Sequence, residues 1–267
     1  MVLHYQELYK MSNGHVRGIT KVVFSPDGTY LASSGLDGHI CIWNVESGEL
    51  GYVDLSLADG HITWMSFSGD TITIAGIFAQ SHPVECLAPN DSRLASGAGL
   101  RLSIWRWNSS TVRYIKEREV DGPPKNSHNE VKEVIVSSIH WIPSQQCLVA
   151  TYLNHGIVIY DHSTWLRICT FPLNGLIASA SVLDDGTLIA VLNVDHGFDV
   201  YSLASGDPVC TVEHTIRQKV PTPAIWIHGG FALLGGTTSG WLTVWDIVGF
   251  LERQKHDIDD SALVRVL

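Results

Sequence analysis

The chain has 267 residues, of which 45% are hydrophobic and 16% charged, with 24 Gly and 10 Pro. That balance excludes a disordered chain, and the length suffices for a core that buries roughly three quarters of the unfolded surface. A net charge of −10 argues against the clustered Lys and Arg of a nucleic-acid or acidic-membrane footprint. The opening residues, MVLHYQELYKMSNGH, lack a basic stretch followed by an apolar one, so no signal peptide is expected. No apolar run reaches the ~18 residues of a membrane helix.

Val2 to Tyr9 alternates and is rich in aromatics, as a strand does. Ile19 to Phe24 reads as the next strand, Ser25-Pro26-Asp27-Gly28 as a tight turn and Tyr30 to Ser34 as a second strand. Leu36-Asp37-Gly38 turns the chain into a third strand, His39 to Val45, and Ser47-Gly48 into a fourth. Short strands at such spacing imply an all-β sandwich, barrel or propeller.

Self-similarity decides among these. An apolar-x-apolar-aromatic strand recurs and ends at Trp43, Trp105, Tyr160, Tyr201 and Trp245, with gaps of 62, 55, 41 and 44 residues. A unit of about 42 residues is the length of one four-stranded propeller blade. First-and-second strand pairs fall near 19–34, 62–76, 84–97, 136–152, 177–192 and 224–237, so about six blades are expected. The second is incomplete, because residues 77–82 are too few for its outer pair. The gap before Tyr160 is lengthened by DGPPKNSHNEVKE at 121–133.

Gly14-His15, Phe24-Ser25-Pro26-Asp27-Gly28, Leu31-Ala32-Ser33, Asp37-Gly38 and Trp43, with Trp245-Asp246 later, resemble the signature of the WD-repeat β-propellers. The resemblance covers about residues 2–250 and implies a propeller domain over 1–250. The tail at 251–267 admits two readings, a short helix or the start of a further blade, the latter as in a seven-bladed ring cut short. The resemblance also implies ring closure, with residues 2–9 as outer strand of the last blade beside Leu242 to Asp246. It further implies a structural tetrad of His15, Ser33, Asp37 and Trp43, in which indole, serine, histidine and aspartate bond in sequence. Later units lack it: Gly235 and Ser239 stand at the Ser33 and Asp37 positions in one, and another keeps only Asp195.

A His, a Ser and an Asp also suggest a hydrolase triad, but here they are committed to tying strands together. The thirteen His residues include no HxH or HExxH. His155 and His196 read as turn residues. Gly97-Ala98-Gly99 is not a phosphate loop. The innermost strands carry only Lys21 and Glu85 as charged side chains, too few for paired-carboxylate or metal chemistry. No catalytic, metal or cofactor site is expected.

Cys41, Cys86, Cys147, Cys169 and Cys210 show no metal spacing and read as reduced thiols of an intracellular protein. The expected function is a protein-interaction scaffold that is monomeric on its own and binds other proteins, not nucleic acid or membrane. The rivals are a propeller hydrolase or lyase, and an incomplete propeller fragment. In WD-repeat propellers the fourth-to-first and second-to-third strand turns share one face. The expected partner surface on that face is Arg17, His61, Trp64, Asp121, Lys125 and Glu130, with the 119–133 segment projecting from it.

Overall fold

The computed structural model describes residues 9–54, 62–68, 71–76, 84–111, 113–125, 129–213, 222–236, 242–248 and 263–266. The chain divides into two compact units, Met1–Asp121 and Gly122–Leu267.

In the first unit, β1 (Ile19–Phe24), β2 (Tyr30–Gly35), β3 (Ile40–Asn44) and β4 (Leu50–Asp54) form an antiparallel blade in chain order. The turn after β1 closes because Gly28 N–H donates to the Ser25 carbonyl at 2.9 Å, while the Asp27 carboxylate accepts from Ser25 Oγ at 2.6 Å and Thr29 N–H at 3.0 Å. β5 (Ile62–Ser68) and β6 (Thr71–Gly76) form a two-stranded ladder. β7 (Cys86–Asn90), β8 (Arg93–Ala98), β9 (Arg101–Asn108) and β10 (Arg113–Val120) form the next blade.

The second unit holds three blades. They are β11 (Val136–Ile142) to β14 (Arg167–Phe171), β15 (Ile177–Val182) to β18 (Pro208–Glu213), and β19 (Ala224–Ile227) to β22 (Leu263–Val266). Between these outer members lie β12 (Cys147–Tyr152), β13 (Gly156–Asp161), β16 (Leu188–Asn193), β17 (Gly197–Ser202), β20 (Ala232–Gly236) and β21 (Leu242–Asp246).

Alternation gives the sheets apolar faces, and within each unit neighbouring sheets stack through them. One core joins Val149, Ile157 and Ile159 of β12–β13 to Ile177, Ala180 and Val191 of β15–β16. Another joins Leu192, Phe198 and Val200 of β16–β17 to Ala224, Leu233 and Trp245 of the last blade. In the first unit, Ala32 and Ile40 pack on Met65 of β5.

Two expectations need correction. Among the described residues there are five four-stranded blades rather than about six, because the second repeat contributes only the β5–β6 ladder. The tail does not begin a further blade: Leu263–Val266 pairs with β21 in the register Leu242↔Val266 to Trp245↔Leu263 and completes the last sheet. The edge assigned from sequence to residues 2–9 is therefore occupied by β22. Residues 2–8 lie outside the described residues, and Tyr9 donates its hydroxyl to the Glu46 carbonyl in the β3–β4 turn of the first blade.

Candidate functional site

The structure brings His15, Ser33, Asp37 and Trp43 together in the first blade. Trp43 Nε1–H donates to Ser33 Oγ at 2.9 Å, and Ser33 Oγ lies 2.8 Å from His15 Nε2. His15 Nδ1 lies 3.1 Å from Asp37 Oδ1. A carboxylate only accepts, so Nδ1 carries the proton and Nε2 accepts from the serine hydroxyl. Register explains the meeting: Ser33 sits opposite Cys41 on β3, two residues before Trp43 on the same face. Gly14 lets the N-terminal segment approach, since a Cβ there would stand 2.4 Å from the Trp43 ring.

Burial alone would raise the Asp37 pKa. The N–H groups of Val16 and His39, with His15, outweigh that and hold it at about 2. Ser33 is buried and its oxygen is engaged on both sides, so it is not presented as a nucleophile.

The other blades tie their strands with different chemistry. In β7–β10 the Trp105 Nε1–H donates to Ser96 Oγ at 2.8 Å. In β11–β14 the phenols of Tyr152 and Tyr160 meet at 2.9 Å. In β15–β18 the sequence points to Asp195, but the buried acid at the centre is Asp199. It faces His196 Nε2 at 2.9 Å and accepts from Thr211 Oγ1 at 2.7 Å and Asn193 Nδ2 at 3.3 Å. His196 is thus more than a turn residue. In the last blade Gly235 stands at the serine position, and Trp245 packs edge-on against Phe198 with centroids 5.4 Å apart.

The charged side chains of the inner strands are depressed in charge by their surroundings. Burial lowers the Lys21 pKa, and burial raises that of Glu85. Burial, then the Glu85 carboxylate, pushes the Cys86 thiol up to about 12. All five cysteines are free. Among the described residues, no three His, Cys, Asp or Glu side chains gather in a way that could hold a metal ion.

The residues expected to form a partner surface are distributed as follows. Arg17 and Asp121, in the first unit, and Lys125 and Glu130, in the second, are exposed. His61 and the Trp64 side chain lie outside the described residues. The segment after Asp121 does not simply project. Pro123 and Asn129 are buried, and Asn154 Nδ2 of the β12–β13 turn donates to the Glu133 carbonyl at 3.1 Å. His155 of that turn is buried, which lowers its pKa; Lys125 and then Lys132 lower it further, while a backbone hydrogen bond at Asn129 opposes them.

Sequence reading missed a groove of about 510 Å³ on the outer strands of β7–β10, between Arg106, Trp107, Ile115, Lys116 and Glu117. Glu117 bridges Arg93 at 3.2 Å and Arg106 at 3.0 Å. The half-exposed Trp107 meets Tyr114 edge-on with centroids 5.1 Å apart. The available signal was local charge: Arg93, Arg101, Arg106, Arg113, Lys116 and Arg118 crowd a short stretch of an acidic chain.

Stacked four-stranded antiparallel sheets in chain order, tied from strand to strand by a buried polar chain, define an all-β propeller. The repeat sequence narrows the class: residues 6–44 match the WD domain, G-beta repeat family, and the fold is that of a β-propeller. The fold is shared with the Cps50 (Swd1) β-propeller domain of Myceliophteria thermophila, at TM-score 0.70 and 17% identity over 95% of this chain and 87% of that one. The Dos1 propeller aligns at TM-score 0.62 and 15% identity, over 93% of this chain and 70% of that one. In sequence the chain is 26% identical over 208 residues to Protein HIR1 of Eremothecium gossypii, covering 75% of this chain and 24% of that protein. It is 23% identical over 238 residues to the p21-activated protein kinase-interacting protein 1-like of Xenopus laevis, covering 89% of this chain and 54% of that protein. The chain therefore spans about half the length of these curated relatives, or less.

No helix among the described residues is long and apolar enough to cross a membrane.

Proposed function

We propose that the chain is a protein–protein interaction scaffold with no catalysis of its own. The observation that carries this reading is the placement of its reactive groups. His15, Ser33 and Asp37 are spent on one another, while exposed charged side chains lie on the outer strands and in the 121–133 segment. A relative named for its interaction with a protein kinase supports the same reading. The partners are other proteins rather than nucleic acid or membrane, in keeping with a net charge of −10. Five free cysteines favour an intracellular setting. Arg17, His61, Trp64 and Asp121 in the first unit, and Lys125 and Glu130 in the second, are the proposed contacts, with Trp64 as the aromatic anchor.

Affinity capture from native extract with the intact protein, a 121–131 deletion and a Trp64→Ala variant tests the assignment. Loss of a shared set of bound proteins in folded variants is expected. Folded variants that keep every bound protein overturn these contacts. Turnover of a glycoside, ester or phosphate substrate that is abolished by Glu85→Gln overturns the non-catalytic reading.

A further inference from the structure

The hairpin of β9 and β10 departs from its counterparts in length and in chemistry. Each strand has eight residues, whereas the third and fourth strands of the other four-stranded blades have four to six. Its turn is fastened by Asn108, whose side-chain oxygen accepts from the N–H groups of Ser110 at 2.9 Å and Thr111 at 3.1 Å. The longer hairpin is thus held in one shape before anything binds, which lowers the entropic cost of binding.

Register fixes the equivalent positions. In four blades a bulge leaves one residue of the fourth strand outside the ladder: Gly51, Glu117, Ile168 and Val209. Three of these are uncharged, and Glu117 is a carboxylate. It bridges Arg93 and Arg106, which stand directly opposite one another on β8 and β9. The matching pairs elsewhere are Tyr30–Asn44, Cys147–Asp161, Leu188–Ser202 and Ala232–Asp246, none of them like-charged. Two cations opposed across strands repel, and Glu117 offsets only one of the two charges.

The charge extends beyond that pair. Six of the chain's 17 Lys and Arg residues but two of its 27 acids lie between Arg93 and Glu119, so the hairpin is basic in a chain of net charge −10. Glu119 is shared by Lys116 at 2.8 Å and Arg101 at 3.8 Å. Arg113 is exposed and has no acidic partner among the described residues. Apolar surface lies among these cations: Ile115, directly opposite Arg106, is 42% exposed, and Trp107 is 40% exposed. Both line the groove.

We infer that the β9–β10 hairpin is a docking surface for an acidic, extended segment of a partner protein. Carboxylates of that segment pair with the guanidinium groups of Arg106 and Arg113, and an apolar side chain between them packs on Ile115 and Trp107. Basic side chains also blunt a sheet edge, but an edge guard needs neither the bridging carboxylate nor the exposed isoleucine. A polyphosphate chain fits less well, because Glu117 would repel it and a phosphate backbone offers Ile115 no apolar cover. The inference rests on the scaffold reading but uses residues other than Arg17, Trp64 and the 121–133 segment.

Fluorescence anisotropy of a labelled peptide of about eight residues, glutamates around one central leucine, tests this on the full chain. A dissociation constant on the order of 10–100 μM is expected, weakening as salt rises. Arg113→Glu and, separately, Arg106→Gln alter exposed side chains and should each weaken binding roughly 5- to 10-fold with an unchanged far-UV spectrum. Ile115→Ser should weaken it without changing the salt dependence, since no charge is lost. Arg167→Glu makes the same charge change on β14 and should leave binding as it is. A wild-type protein that does not bind the peptide overturns the inference. So do folded groove variants that bind as tightly as wild type, an Arg167→Glu loss as large as theirs, or a single-stranded oligonucleotide bound more tightly than the peptide through the same residues. Capture from extract with the Trp64→Ala and 121–131 deletion variants reads the scaffold contacts separately, so either reading can fail alone.

Discussion

Replacing Ser33 with Ala removes one oxygen and strands two partners. The indole N–H of Trp43 loses its acceptor at 2.9 Å, and His15 Nε2 loses the hydroxyl at 2.8 Å. Both lie where the blade excludes water, and an unsatisfied buried group costs about 1–3 kcal/mol. Ser33→Ala should therefore destabilise the blade by about 2–4 kcal/mol. Trp43→Phe keeps most of the ring and leaves only one serine lone pair idle, so about 1–2 kcal/mol is expected. In the double variant the stranded indole no longer exists, and its cost should fall short of the sum by about 1 kcal/mol or more. Native-state hydrogen exchange at the amides of β2 and β3 reads the opening of this blade without requiring both compact units to unfold together. Ser33→Ala should speed that exchange roughly 30- to 700-fold. Costs that add to within about 0.5 kcal/mol would refute the picture of a continuous bonded chain.

The Asp37 carboxyl is held at about 2 against an ordinary 3.8, so the stability it contributes is full above pH 3.8 and is lost as the pH falls through about 2. Unfolding midpoints measured between pH 5 and pH 2 should fall toward acid in the wild type and less steeply in Asp37→Asn. Gly156→Ala should cost about 3 kcal/mol or more, because a Cβ there meets the Phe171 carbonyl oxygen at 2.1 Å with φ at +81°. Gly28→Ala has a similar φ of +73° but open space around it, so about 1 kcal/mol is expected. Denaturant titration of the two variants side by side checks the contrast.

What the sequence made legible was local chemistry. The Ser25–Gly28 turn, the alternation of β1 to β3 and the aromatic ending β3 each depend on neighbours within a few residues. The first-blade tetrad was readable because the family pattern supplied the missing long-range pairing. Asp199 escaped notice for the opposite reason. In Phe198-Asp199-Val200-Tyr201 an acid amid apolar residues reads as solvent-facing, and only the cross-strand register Asp199↔Thr211 shows it to be enclosed. Leu263–Val266 was ambiguous because four residues of apolar alternation fit any free sheet edge, and nothing in them selects β21. Likewise, alternation shows that Ile19, Val22 and Phe24 share an apolar face but carries no information on what covers it.

The dissimilar polar ties from blade to blade bear on how the chain avoids misfolding. Tandem units of similar length and pattern invite strands of one to pair in another, a characteristic failure of repeat proteins. Here a strand that strays finds the wrong chemistry. β3 brings an indole N–H that needs a hydroxyl, and β16 would offer it Val191 at that register. β17 brings a carboxylate that needs Thr211, and β4 would offer it Val53 at that register. Each mispairing would enclose an unsatisfied polar group, at about 1–3 kcal/mol apiece. The divergence that makes the later repeats hard to recognise by eye thereby acts as proofreading during assembly.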